Sequence, residues 1–276
     1  MNRPDSAPAM RCGEEYKEIL RTHYMSRLTF EEKGLVEKLI LQGVSLNKIS
    51  KITGRNKSTL YWYYAKLKGG KKFEEPQFET NYSELEGEIV GIFAGDGSQH
   101  HAKDRGSYAV NVHFGKLEYV KYVKGLFESY FNKKFRLKKE SMGRFRLTTY
   151  SKKIFWHFMS YLDYVPQIKH CTVKLKRADF PREFKIGFLR GLVDTDGTIC
   201  RCKDKRIRIA FYTTSESLAN QTKSLLAEFG FHSFTSVNHR ANLKDCHSTY
   251  LLSRSVGSFI ELIRPYKARK FQGPLV

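Results

Sequence analysis

The sequence predicts an α+β protein in which two similar halves follow a small all-α unit. Three observations carry that prediction. The chain repeats itself: ELEGEIVGIFAGDGS (residues 84–98) and EFKIGFLRGLVDTDGTI (183–199) each run a ladder of glycines into a terminal Asp-Gly. Gly87, Gly91 and Asp96 find their counterparts, Gly187, Gly191 and Asp196, 100 residues later in every case. Behind each of these segments, runs of alternating apolar and polar residues are interspersed with apolar positions at helical spacing. Ahead of them, residues 29–70 hold three short stretches whose periodicity is helical only.

Residues 1–28 read as a tail with a possible short helix. Thr29 and Glu32 have the spacing of a capping box, and Leu35, Val36, Leu39 and Ile40 recur at helical spacing up to Gly43. Ser45 then caps a short helix carrying Leu46, Ile49 and Ile52, Gly54 turns the chain, and a third helix runs from about Lys57 to Lys68. Residues 29–70 thereby resemble a helix-turn-helix unit, with Ile49, Ile52 and Leu60 expected to hold two helices together. The resemblance implies that Arg55, Lys57, Ser58 and Thr59, around the start of the third helix, enter the major groove of DNA. GGKKFEEPQFETNYS, rich in glycine and charge and containing Pro76, reads as a linker over residues 71–81, so the main domain is expected to begin near residue 82.

Glycines four residues apart lie on one face of a helix and cost about 1 kcal/mol each in helix stability. Helices keep them where two backbones must approach closely. Gly87 and Gly91 on one helix, with Gly187 and Gly191 on another, predict two helices packed face to face about a pseudo-twofold axis. Both helices then end side by side, and each presents an aspartate. Two carboxylates in one place bind divalent cations well.

The segments that follow agree between the halves. YAVNVHF (108–114) alternates strictly and turns Asn111 and His113 outward; a helix over about 117–131 carries Tyr119, Val120, Val123 and Phe127. FRLKKE and RFRLTTY form a hairpin around Met142-Gly143, with Arg144 and Arg146 outward, and a helix over about 151–162 closes the half. In the second half RIRIAFY (206–212) turns Arg206, Arg208 and Tyr212 outward; a helix near 216–229, strands near 231–238 and 247–253 and a helix near 255–264 follow.

Composition narrows the partner. With 49 Lys+Arg against 28 Asp+Glu, the formal net charge is +21. That excess repels itself unless a polyanion neutralises it, which points to nucleic acid. Hydrophobic residues at 41% and aromatics at 14% suffice for a core and argue against global disorder. No long uncharged apolar run supports a membrane partner. MNRPDSAPAMRCGEE lacks the apolar segment of a secretory signal, and the five cysteines (Cys12, Cys171, Cys200, Cys202, Cys246) form no CxxC pair. The expectation is an intracellular protein, cytoplasmic or organellar and not secreted, with reduced thiols. Nothing resembles a nucleotide-binding loop or a Ser/His/Asp nucleophile arrangement.

IVGIFAGDG (89–97) and LRGLVDTDG (189–197) resemble two copies of the motif that names the LAGLIDADG homing endonucleases, and the resemblance extends over most of residues 82–276. The first copy departs at Ala94, where the family often has an acidic residue. The resemblance implies two pseudo-symmetric αββαββα repeats, over 82–183 and 184–276, whose sheets lie side by side as a DNA-binding saddle. It implies a monomeric, site-specific double-strand DNA endonuclease that hydrolyses one phosphodiester on each strand. Asp96 and Asp196 would hold Mg²⁺ (or Mn²⁺), with the carbonyls of Gly95 and Thr195 as further ligands. A basic residue near the end of each repeat would assist: Lys169 in the first and Lys270 in the second, with Lys174 and Lys267 as competitors. Asn111, His113, Arg144, Arg146, Arg206 and Arg208 become the expected DNA contacts of the saddle. Two other functions stay open on the same fold: a non-cleaving DNA-binding transcriptional regulator, and a maturase that binds structured intron RNA.

Overall fold

A computed structural model describes residues 28–69, 76–102, 104, 106–239 and 244–271. The tail before residue 28, with its possible short helix and Cys12, and residues 71–75 of the expected linker lie outside the described residues. The chain divides into two units, Met1–Phe73 and Glu74–Val276.

Among its described residues the first unit contains three helices, α1 (Phe30–Leu41), α2 (Leu46–Thr53) and α3 (Lys57–Lys68). The capping box forms as spaced: the Glu32 amide donates to Thr29 Oγ1 at 3.2 Å and the Thr29 amide to Glu32 Oε2 at 2.8 Å. Gly43 and Gly54 take φ of +76° and +66° at the two turns, a backbone region that glycine enters without steric cost. Leu28, Val36, Ile40, Ile49 and Leu60 form the core. Ile52, expected among them, is 53% exposed, and Leu35 is 44% exposed. Three helices of eight to twelve residues cover each other on one side only, and that side is filled by Ile49 and Val36.

The second unit has the expected double αββαββα order. The first repeat runs α4 (Glu84–Asp96), β1 (Gly97–Ala102), β2 (Ser107–Phe114), α5 (Leu117–Phe131), β3 (Arg136–Lys139), β4 (Phe145–Tyr150) and α6 (Lys152–Tyr161). A two-residue ladder, β5 (Leu162–Asp163) with β6 (Lys174–Leu175), encloses the short helix α7 (Lys169–Thr172). The second repeat runs α8 (Arg182–Thr195), β7 (Gly197–Arg201), β8 (Ile207–Thr213), α9 (Glu216–Glu228), β9 (Ser233–Asn238), β10 (Cys246–Leu251) and α10 (Ser253–Ile263), then a 3₁₀ turn, Tyr266–Phe271. Each repeat builds a four-stranded antiparallel sheet, ordered β1-β2-β4-β3 and β7-β8-β10-β9. The Met142-Gly143 hairpin takes positive φ at both residues. Val110, Val112 and Leu147 in one sheet, and Ile199, Ile209 and Phe211 in the other, are buried in one apolar core.

One boundary differs from the sequence expectation. Residues 76–81 belong to the main unit, not to a linker. The Phe78 ring packs edge-on against Phe131 and His157, both at 4.9 Å. The amides of Asn81 and Tyr82 donate to Glu86 Oε2 at 3.0 and 2.6 Å. A single aromatic anchor and a carboxylate several residues downstream leave no periodic signal in so polar a segment.

The glycine ladders meet as their spacing requires. A Cβ placed on Gly87 would lie 2.0 Å from the Phe184 carbonyl oxygen, and one on Gly91 2.3 Å from that of Phe188. Reciprocally, Gly187 and Gly191 would strike the Glu84 and Glu88 carbonyl oxygens at 1.9 and 2.2 Å. Helices α4 and α8 therefore run backbone against backbone, without side chains between them at these positions. Arg190 bolts the seam: its guanidinium pairs with Glu84 and, at 3.1 Å, with Glu88, while Nε donates to the Ile263 carbonyl at 2.6 Å.

Candidate active site

The seam delivers two acids to one place. Asp96 is the last residue of α4 and Asp196 caps α8. Gly95 touches the opposite helix end so closely that a Cβ there would lie 2.2 Å from Thr195 Oγ1 and 3.2 Å from Asp196 Oδ2. Gly97 and Gly197, next in the chain, turn each helix directly into a strand. A Cβ on them would collide with Phe93 at 2.3 Å and Val193 at 2.5 Å.

Two ammonium groups close over these ends. Lys169 is buried, and its Nζ donates to the carbonyls of Ala94 (2.6 Å) and Gly95 (3.2 Å). In the second repeat the matching group is Lys267, whose Nζ donates to Val193 (3.2 Å), Thr195 (3.1 Å) and Gly197 (2.5 Å) carbonyls. Lys270, the expected residue, instead lies with its ammonium over the Phe271 ring at 4.8 Å. The reason is the carboxylate of Asp194, which accepts from the Tyr266 and Lys267 amides at 2.8 Å each and pins the start of the 3₁₀ turn to the end of α8. Residue 270 sits one 3₁₀ turn further on, ~6 Å along the axis. Lys174 faces away, paired with Asp163 at 3.5 Å.

Electrostatics follow from this crowding. Burial, and then the neighbouring Asp196, push the Asp96 carboxyl up to about 7, against the pull of Lys267 and Lys169. Burial also raises Asp196, with both lysines opposing it. Lys169 is lowered to about 8 by burial, despite the two acids beside it. Burial lowers Lys267 too, and raises Asp194 to about 6. A cavity of about 290 Å³ opens beside Asp196, lined by Ala94, Gly95, His170, Tyr212 and Thr213 among others.

The donor set suits a hard divalent cation. Two carboxylates and the carbonyls of Gly95 and Thr195 are all oxygen, and added positive charge would offset the elevation that burial imposes on both acids and that Asp196 adds to Asp96. Among the described residues no group of three or more His, Cys, Asp and Glu side chains stands together. Any ion held here therefore takes the rest of its coordination from carbonyls, water or phosphate.

The remaining sequence candidates lie on the two sheets and in the first unit. Asn111 accepts from Thr148 Oγ1 at 2.8 Å on the outer face of the first sheet. His113 sits between Ser98 (3.4 Å) and Glu140 (3.3 Å), and Glu140 also pairs with Arg146 at 3.2 Å. Arg144 and Arg208 are exposed, while Arg206 lies in the turn before β8, paired with Asp204 at 2.6 Å. In the first unit Arg55 is engaged with Glu32 through contacts of 2.8 to 3.0 Å, so it ties the start of α3 to α1. Lys57 and Ser58 are exposed and Thr59 is half-buried. Sequence reasoning missed Asp194. Its signal was present as the first of the two acids in LRGLVDTDG.

Comparison with known proteins agrees with this geometry. A family model described as a LAGLIDADG-like domain matches residues 183–264. No curated protein sequence matches the chain. Among solved structures, mesophilic variants of the homing endonuclease I-DmoI superpose with a TM-score of 0.53 at 18% identity, covering 67% of this chain and 92% of that one. I-DmoI in complex with DNA and Mn gives a TM-score of 0.52 at 17% identity, over 66% and 97% of the two chains. The homing endonuclease I-WcaI bound to its DNA recognition sequence gives 0.48 at 16% identity, over 70% and 86%. Residues 183–264 thus match the model of a LAGLIDADG-like domain, and the chain shares its fold with these homing endonucleases.

Proposed function

We propose that this protein is a monomeric, site-specific double-strand DNA endonuclease that hydrolyses one phosphodiester on each strand. The observation that carries the reading is the meeting of Asp96 and Asp196, one from each repeat, with a lysine ammonium over each helix end, Lys169 buried and Lys267 half-buried. The fold it shares with I-DmoI, whose structures include complexes with DNA and with Mn, Ca or Mg, supports duplex DNA as partner and a divalent cation as cofactor.

Asp96 and Asp196 would hold Mg²⁺ or Mn²⁺ with the carbonyls of Gly95 and Thr195. When bound, such an ion would supply Lewis-acid stabilisation of charge on the phosphate and on an attacking water. The chain's own residues do the rest. Lys169 and Lys267 hold positive charge over the two helix ends, where negative charge develops on a scissile phosphate. Gly95 and Gly97, where a side chain would strike Thr195 and Phe93, let the first helix end pack tightly beside the second acid. The outer faces of the sheets position the duplex, with the basic residues on the first sheet contacting phosphates and base edges. The three-helix unit adds affinity through Lys57 and Ser58 at the start of α3.

The test is cleavage of a randomised duplex library in Mg²⁺, with wild type beside Asp96→Asn and Asp196→Asn. Recurrent staggered breaks at one motif, reduced at least 100-fold or converted to nicks in either variant, are expected. Selective duplex binding without cleavage would replace this reading by a regulator. Preference for folded RNA over duplex would replace it by a maturase.

A further inference from the structure

The register of the two sheets allows a position-by-position comparison of their outer faces. Gly97 lies opposite Val112 and Gly197 opposite Phe211, so Asn111 corresponds to Ala210 and His113 to Tyr212. Continuing across each sheet, Asn111 pairs with Thr148 and Thr148 with Arg136, whereas Ala210 pairs with Tyr250 and Tyr250 with Phe234. The neighbouring row is His113, Arg146 and Lys138 in the first repeat, but Tyr212, Ser248 and Ser236 in the second. Each first row starts at the outward residue two past an acid, Ser98 or Thr198.

The same surface is therefore polar and cationic in one repeat and aromatic in the other. Phe234 stacks on Tyr250 with ring centroids 5.1 Å apart and planes at 20°, and Tyr212 meets Tyr250 edge-on at 6.2 Å. Phe234 is 50% exposed and Tyr212 37% exposed. Arg208 is the nearest cation on this face, and it lies in a further row, opposite Cys200. An exposed aromatic strip on a sheet that flanks an acid pair is costly to leave in water. Its counterpart in the other repeat has the side chains that hydrogen-bond to base edges and phosphates. Ala210 is buried, Phe234 has no hydrogen-bonding atom and Tyr250 has one hydroxyl, so what this row chiefly presents is aromatic surface, which matches the one apolar feature of the major groove, the thymine 5-methyl group.

We infer that the second repeat reads its DNA half-site through thymine methyl groups packed on Tyr250 and Phe234, while the first repeat reads its half-site by hydrogen bonds. This inference rests on the duplex-endonuclease reading above. It makes Phe234 and Tyr250 specificity-determining residues, and it makes the two halves of the target chemically unlike.

The experiment uses the full-length protein and a duplex recovered by selection from a randomised library, with binding measured in Ca²⁺. Thymines are replaced by deoxyuridine in one half-site at a time, which removes the methyl groups and nothing else. Wild type is expected to lose about threefold to fourfold in affinity per contacted methyl in one half only. The double variant Phe234→Arg, Tyr250→Thr, which installs the first repeat's residues, is expected to lose that sensitivity and to select a different sequence in the same half. Deoxyuridine without effect in both halves, while duplex binding stays selective, overturns the inference and leaves the endonuclease reading standing. So does sensitivity that persists unchanged in the double variant. Failure to select any duplex overturns both. The wild-type arm decides the matter even where the double variant is unstable.

Discussion

The two ends of the central seam solve one problem in different ways. At the end of α8, Asp194 holds two backbone amides and draws the Tyr266–Phe271 turn, with Lys267, over the site. At the end of α4 the corresponding residue is Ala94, which offers only a carbonyl to Lys169. There the lysine is placed by a four-residue helix enclosed by the β5–β6 ladder. The repeats thus converge on an ammonium over the motif carbonyls while the means of holding it differ. Symmetry is strict in the backbone contact of the helices, where geometry permits only glycine, and relaxed where several constructions place the same charge.

The comparison can be broken first at the seam. Gly187→Val puts a side chain into the Glu84 carbonyl oxygen, a backbone atom that cannot rotate away. The cost should exceed the ~1–3 kcal/mol of ordinary overpacking. The expected result is loss of cooperative unfolding in urea, together with loss of cleavage.

Next in size is the asymmetry itself. Asp194→Ala should free the Tyr266–Phe271 turn and slow cleavage of one strand at least tenfold, so that nicked duplex accumulates on a gel. Equal slowing of both strands would show that Asp194 serves the whole fold and not one end of the seam.

The pH dependence sharpens the picture further. Asp96 keeps its proton to about pH 7 in the folded chain, against 3.8 for an ordinary aspartate. The stability associated with that proton is fully present below about pH 4 and is lost as pH rises through 7. Metal-free protein should therefore melt several degrees lower at pH 7.5 than at pH 5, by differential scanning calorimetry. Asp96→Asn should flatten that slope, and Mg²⁺ should restore the wild-type melting temperature at pH 7.5 but not the variant's.

The smallest effect is the control. Gly125, within α5, has nothing within 4 Å of an added Cβ. Gly125→Ala should be neutral or raise stability by up to ~1 kcal/mol in the same urea experiment. It separates glycines kept for contact from one that no contact requires.

Much of this was legible in the sequence because it rests on periodicity. The glycine ladders, the alternation in YAVNVHF and RIRIAFY, and the caps at Thr29 and Ser45 are local signals, and the corresponding elements form within a few residues of the expected limits. Lys169 was reachable through family resemblance. Lys267 was not separable from Lys270, because the choice depends on two hydrogen bonds that the Tyr266 and Lys267 amides donate to Asp194 across 72 and 73 residues. The Phe78 anchor was missed for a similar reason, its partners Phe131 and His157 being far along the chain. Arg55 looked free because its partner, Glu32, was already assigned to a capping box. Its carboxylate serves both. Surface arginines carry no sequence signal for the ion pairs that engage them.

The seam has a consequence for the chain during its synthesis. Arg190 reaches back 106 residues to Glu84, and Asp194 reaches forward to an amide at residue 267. A ribosome that has released only the first repeat has made one acid and no partner for it. With the second repeat emerged as far as α8 the acids can meet, yet the second ammonium is still missing. The turn that carries Lys267 is therefore the last described part of the paired helix ends to be translated, and a product truncated before it would carry both aspartates without the second ammonium.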